Sequence, residues 1–163
     1  MSFDAELLIH GFGRIFAHEC GHALVATLKN IPYKGIAYER DNPRFCTLTV
    51  LPVHKEAYSD KHYLYLAAGV AAERIVGVND SQEGGDDDKK YFKSIEAFEL
   101  TVQKAQELLS SRRATIEYIV SVLKTKAKEI NCKLDCLENF TCNGRRYAML
   151  LSEQQLKGII EKH

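Results

Sequence analysis

The segment Ile15 to Val25, IFAHECGHALV, constrains this chain more than any other. Ile15, Phe16, Cys20, Ala23, Leu24 and Thr27 recur at helical spacing through about Lys29, and NIP then stops the run. One helical turn takes 3.6 residues, so side chains four apart project from the same face. His18 and His22 can therefore aim a ring nitrogen each at one ion. Glu19 lies about 100° round the helix, within reach of a water on that ion but outside its ligand set. A catalytic zinc needs three protein ligands and one open position. With those in place the metal activates the water, and Glu19 serves as general base for peptide hydrolysis. Gly21 costs about 1 kcal/mol in a helix interior, which points to close packing there. The competing reading is an ordinary packed helix that happens to carry two histidines.

Three carboxylates compete for the third ligand position. A second helix is expected from about Ser59 to Val76, and its middle, LAAGVAAERIV, is built of small residues that let another helix approach. Glu73 sits among them, either as the acceptor that holds a ligand histidine or as a ligand itself. After the loop GVNDSQEGG, a long third helix is expected with Asp86 as its N-cap. Tyr91, Ile95, Phe98, Val102, Ala105 and Leu109 form its apolar stripe. Extended back by four, that stripe reaches Asp87, where a carboxylate facing the core needs compensation such as a metal. Asp88 leads by the same steps to Glu99 and so towards solvent. Asp87 is the preferred ligand and Asp88 the alternative. All three aspartates also complement a helix N-terminus.

Elsewhere, Gly35 to Pro52 reads as one β-hairpin, with alternation at Ile36 and Tyr38, a turn at DNP and the strand-forming FCTLTVL. After SSRR, Ile116, Ile119, Val120, Leu123 and Ile130 mark a further helix. LLSEQQLKGIIEK reads as a short last helix with Ser152 and Gln155 as a capping box. The expected fold is mainly α: a compact helical domain spanning 1–163, with one small β-hairpin next to the histidine helix. With 163 residues, 45% of them hydrophobic, the chain can bury one core. Its 22 basic and 22 acidic side chains leave no footprint for nucleic acid or an anionic membrane. No apolar run approaches the ~20 residues of a membrane span, and the acidic start MSFDAELLIHGFGR is unlike a secretory signal. Five cysteines without paired spacing suit a reducing, cytoplasmic setting. Cys132, Cys136 and Cys142 are irregularly spaced and read as core or loop residues before a metal site. His10, His54, His62 and His163 have no partner at ligand spacing and read mostly as surface residues. NGRRY reads as a turn with a solvated basic patch.

Three pieces in order, HECGHALVA, LAAGVAAERIVG and EGGDDDKKYF, together resemble the zinc peptidase domain of the FtsH-type proteases. The resemblance covers roughly residues 15–92 and implies zinc held by His18, His22 and an aspartate, with Glu19 as base. An ungapped count from Ala71-Ala72-Glu73 puts the family's aspartate on Asp87; aligning the glycines moves it to Asp88. The chain departs from the family at Cys20, where alanine is usual, and at Lys89, where an apolar residue is usual. No G-x-x-x-x-G-K-[ST] phosphate loop occurs, so the family's ATP-driven unfolding does not carry over. The expected activity is zinc metalloendopeptidase action on flexible or unfolded peptides, alone or delivered by a partner protein. The edge strand RFCTLTVL could take an extended peptide as one more strand. Related domains assemble into rings, which raises a homo-oligomer as a further expectation. The alternative is a degenerate relative that binds metal or peptide as an interaction module. A third reading completes the site with Glu73.

Overall fold

The computed structural model describes residues 12–77, 84–133 and 138–163. Among the described residues, six α-helices and four strands follow one another in the order α1 (Phe12–Leu28), β1 (Tyr33–Glu39), β2 (Arg44–Thr49), α2 (Asp60–Ile75), α3 (Asp86–Lys89), α4 (Ile95–Leu109), α5 (Arg113–Lys133), β3 (Asn139–Cys142), β4 (Arg145–Ser152) and α6 (Glu153–Lys162). Helix dominates, as the residue pattern predicts, but the β component is larger than one hairpin. The strands form a single antiparallel sheet in the order β2-β1-β4-β3. The second hairpin turns at Asn143 and Gly144, both with positive φ (50° and 75°), the backbone that a two-residue Asn-Gly turn requires. Its apolar Tyr147, Ala148, Leu150 and Leu151 are buried, and Leu150 and Leu151 belong to the strand before the last helix begins. Arg145 and Arg146 do not form a free basic patch: they pair with Glu39 and Asp41.

Helix α1 runs through the centre of the molecule. Phe16, Cys20, Ala23 and Leu24 are fully buried, and Phe16 meets Phe45 of β2 edge-on at 4.8 Å. Helix α2 is gripped on two sides, which explains its all-round small residues. Ala68 and Ala72 join the core around α1, while Ala67, Val70 and Ala71 pack with Phe98, Val102 and Ala105 of α4. A Cβ at Gly21 would lie 2.2 Å from the Ala68 carbonyl oxygen, so the absence of a side chain is what lets α1 and α2 touch.

The expected long third helix is two helices. α3 is a single four-residue turn, residues 90–94 break the run, and Ser94 starts α4 afresh by accepting the Ala97 N–H at 3.1 Å. Tyr91 and Phe92 pack back in the break, Tyr91 on Tyr58 (6.0 Å) and Phe92 on Tyr63 and Phe98 (5.3 and 5.1 Å). Gly85, not Asp86, precedes the first turn of α3, at φ 94° and tight against Val70. His62 is buried rather than superficial, because it closes the cap of α2 by accepting the Ser59 N–H at 3.0 Å. Among the described residues no helix is long and apolar enough to cross a membrane.

Candidate metal centre

The face of α1 that points towards α2 and α3 carries His18 and His22, whose rings meet edge-on at 4.7 Å. Each ring is fixed from behind. His18 donates its Nδ1–H to Glu73 Oε1 at 2.5 Å, and His22 donates its Nδ1–H to the Tyr65 carbonyl at 2.7 Å. Those two acceptors set the tautomers, leaving the lone pair of each ring on Nε2. The two Nε2 atoms stand 3.0 Å apart, and Asp88 Oδ2 lies 3.2 Å from the first and 3.6 Å from the second. A tetrahedral zinc with bonds of about 2.0–2.1 Å separates its ligand atoms by about 3.3 Å. The triangle therefore has the right size. With both rings neutral, two lone pairs and a carboxylate oxygen converge on one point that could hold a metal ion, and among the described residues His18, His22 and Asp88 are the group with such a convergence.

The structure gathers the alternative, Asp88, and not the preferred Asp87, with the two histidines. The Asp87 side chain is 90% exposed and faces Lys90 at 3.6 Å, whereas that of Asp88 is only 16% exposed. Asp87 shares the stripe of Tyr91 only in one continuous helix, and the break at residues 90–94 destroys that phase. Asp86 is almost wholly exposed, beside Lys89. Glu73 stands outside the triangle, with no exposure at all. Besides His18 it accepts the Gly84 N–H through both oxygens (3.1 and 3.0 Å), and Arg14 lies 3.6 Å away. One carboxylate thus ties the histidine helix to the loop that delivers Asp88.

Glu19 lines the same cavity of about 380 Å³ as the two histidines and Asp88. Its Oε2 accepts the Thr47 N–H at 2.6 Å and the Thr47 hydroxyl at 2.7 Å. The donor Thr47 N–H lies on the outer edge of β2, turned away from β1. Thr47 and Tyr65, which hold Glu19 and His22, are site positions that the sequence does not single out. A backbone carbonyl leaves no mark on residue type, and Thr47 was legible only as a strand former.

The electrostatics favour a positive charge at the site, carried by a proton on His18 Nε2 or by a metal ion in its place. Burial disfavours a charged His18, but hydrogen bonds to Asp88 and Glu73 and the charge of Glu19 outweigh it and raise the imidazolium to about 10. Burial likewise opposes ionised Asp88, yet His22 and His18 hold its carboxyl well below the usual carboxylate range. The thiols nearby are quiet. Burial pushes Cys20 far up, and burial with the charge of Glu19 pushes Cys46 up to about 12. Cys142 ends β3 partly buried; the side chains of Cys132 and Cys136, and all of His10, lie outside the described residues.

No family model matches the chain, and no curated protein or solved structure matches it either.

Proposed function

We propose that the protein is a zinc-dependent metallopeptidase that hydrolyses flexible peptides without ATP, in the manner of the FtsH-type peptidase domain its site residues resemble. The observation that carries this reading is the outward-braced pair of imidazoles. Both Nδ1–H groups are committed to acceptors, so both Nε2 lone pairs meet Asp88 at a common point beside Glu19. His18, His22 and Asp88 would hold the ion, a donor set of two nitrogens and one oxygen that suits zinc. Bound there, zinc supplies Lewis acidity and brings the pKa of a water in the open position down towards ~7.

The remaining work belongs to the chain. Glu19 takes a proton from the attacking water and passes it to the leaving amine. Thr47 holds one carboxylate oxygen with two donors, which fixes the side chain and leaves the other oxygen for the proton. Glu73 and the Tyr65 carbonyl keep the ligand rings in register. The edge of β2 beside the site offers backbone pairing to an extended peptide, which gives sequence-tolerant binding. The absence of a long apolar helix among the described residues supports action in the aqueous phase, and we place it in the cytoplasm.

The test is cleavage of unstructured peptides by zinc-loaded protein, with Glu19→Gln as control. Cleavage that falls at least ~100-fold in the variant while zinc is retained supports the assignment. Zinc-loaded protein that cuts no peptide in a broad mixture contradicts it, and leaves a metal-binding interaction module.

A further inference from the structure

A second cavity, of about 450 Å³, adjoins the metal centre on the other face of the sheet. The two cavities share Cys46 and Thr47, so they meet at the edge strand β2. Side chains alternate along a strand. Phe45 and Thr47 point to α1, where Thr47 meets Glu19, whereas Arg44, Cys46 and Leu48 point to the outer face. A peptide laid along the free edge of β2 would alternate in the same way. One residue would face the metal centre, and its neighbour would reach over the edge into the second cavity.

The charge of that cavity is one-sided. Lys34 lines it, with its ammonium group 3.7 Å from the Cys142 sulfur and 5.9 Å from the centre of the Phe140 ring. No carboxylate among the described residues pairs with it. Arg44 also lines the cavity, and Arg145 stands beside it; both share the single carboxylate of buried Glu39, at 2.7 and 3.2 Å. Lys34 is thus the lining cation that no carboxylate among the described residues neutralises, whereas Arg44 shares Glu39 with Arg145. Leu48, Val50, Leu51 and Tyr147 add an apolar stretch of wall that suits the stem of a side chain, beside the polar Thr49 and Asn143.

We infer that this cavity is a specificity subsite of the proposed peptidase for a carboxylate carried by the peptide, an acidic side chain or a free C-terminus, with Lys34 as its counter-charge. The inference rests on the peptidase reading for its purpose, but not for its binding chemistry. A partly exposed charge contact of this kind is worth about fivefold in affinity.

The test measures binding of fluorescent, unstructured decapeptides to the zinc-loaded Glu19→Gln protein, which holds substrate without turnover. The peptides differ only in carrying two glutamates, two glutamines or two lysines, each as free acid and as C-terminal amide. The glutamate peptide should bind about fivefold tighter than the glutamine peptide. Lys34→Met should erase the difference, and Lys34→Glu should favour the lysine peptide. A preference that follows the side chain in the amides assigns the subsite to acidic residues; one seen only in the free acids assigns it to the terminus. Equal affinity for all peptides, no binding of any, or a preference that survives Lys34→Glu overturns the inference. Cleavage of the same peptides by the native protein separates the two readings. Charge-selective binding through Lys34 without cleavage would remove the peptidase and keep the subsite. Cleavage indifferent to peptide charge would do the reverse.

Discussion

At the scale of single residues, the site depends on side chains that would never touch the ion. Glu73 carries the negative charge behind His18 and anchors Gly84 of the aspartate loop. Glu73→Gln keeps the shape and removes the charge, and should weaken zinc binding by about 10-fold to 100-fold, read by competition with a chelator. Thr47→Val keeps the β-branched shape and the backbone N–H but loses the hydroxyl that holds Glu19. It should lower kcat about tenfold with zinc content unchanged, and Thr47→Ser should restore most of the rate. His18, His22 and Glu19 were legible in the sequence because i, i+4 spacing is enough to define a helical face. Asp88 was legible only as the alternative to Asp87, because the two are chemically identical and only backbone phase separates them.

Among elements, the decisive contact is the bare crossing of α1 and α2. Two glycines make it possible. A Cβ at Gly21 would lie 2.2 Å from the Ala68 carbonyl oxygen and 2.7 Å from the Ala72 Cβ, so Gly21→Ala must push the helices apart. A loss of about 2 kcal/mol is expected in chemical denaturation. A Cβ at Gly69 would instead strike the His18 ring, 2.4–2.6 Å from three of its atoms. Gly69→Ala should therefore impair zinc affinity more than it impairs stability, and Gly21→Ala the opposite. A larger zinc defect in Gly21→Ala would contradict this division. The alanine-rich run announced close packing at the sequence level, and the first hairpin and the capping box at Ser152 were equally plain. The break at residues 90–94 was hidden, since no glycine or proline marks it. There the aromatic packing of Tyr91 and Phe92 and the cap at Ser94 override helical periodicity. At the second hairpin the Asn-Gly turn was legible, but its arginines read as a solvated basic patch, and the strands on either side are set by pairing with each other and with β1.

For the molecule as a whole, the candidate centre joins distant parts of the chain: α1 would give two ligands and α3 the third, α2 braces one ring through Glu73 and the other through a carbonyl, and β2 holds Glu19, the proposed base. Folding and metal binding should be linked, because only the folded chain gathers these groups. The mainly helical plan was readable from periodicity. The four-stranded sheet and the register of the third ligand arise from tertiary packing that a local pattern does not contain. The most direct test of the central claim is zinc per chain in purified, zinc-supplied protein, alongside His22→Ala, Asp88→Ala and Asp87→Ala. The structure predicts one zinc in the native and Asp87→Ala proteins, and loss of it in the other two. Zinc absent from the native protein, or retained by Asp88→Ala and lost by Asp87→Ala, would contradict it.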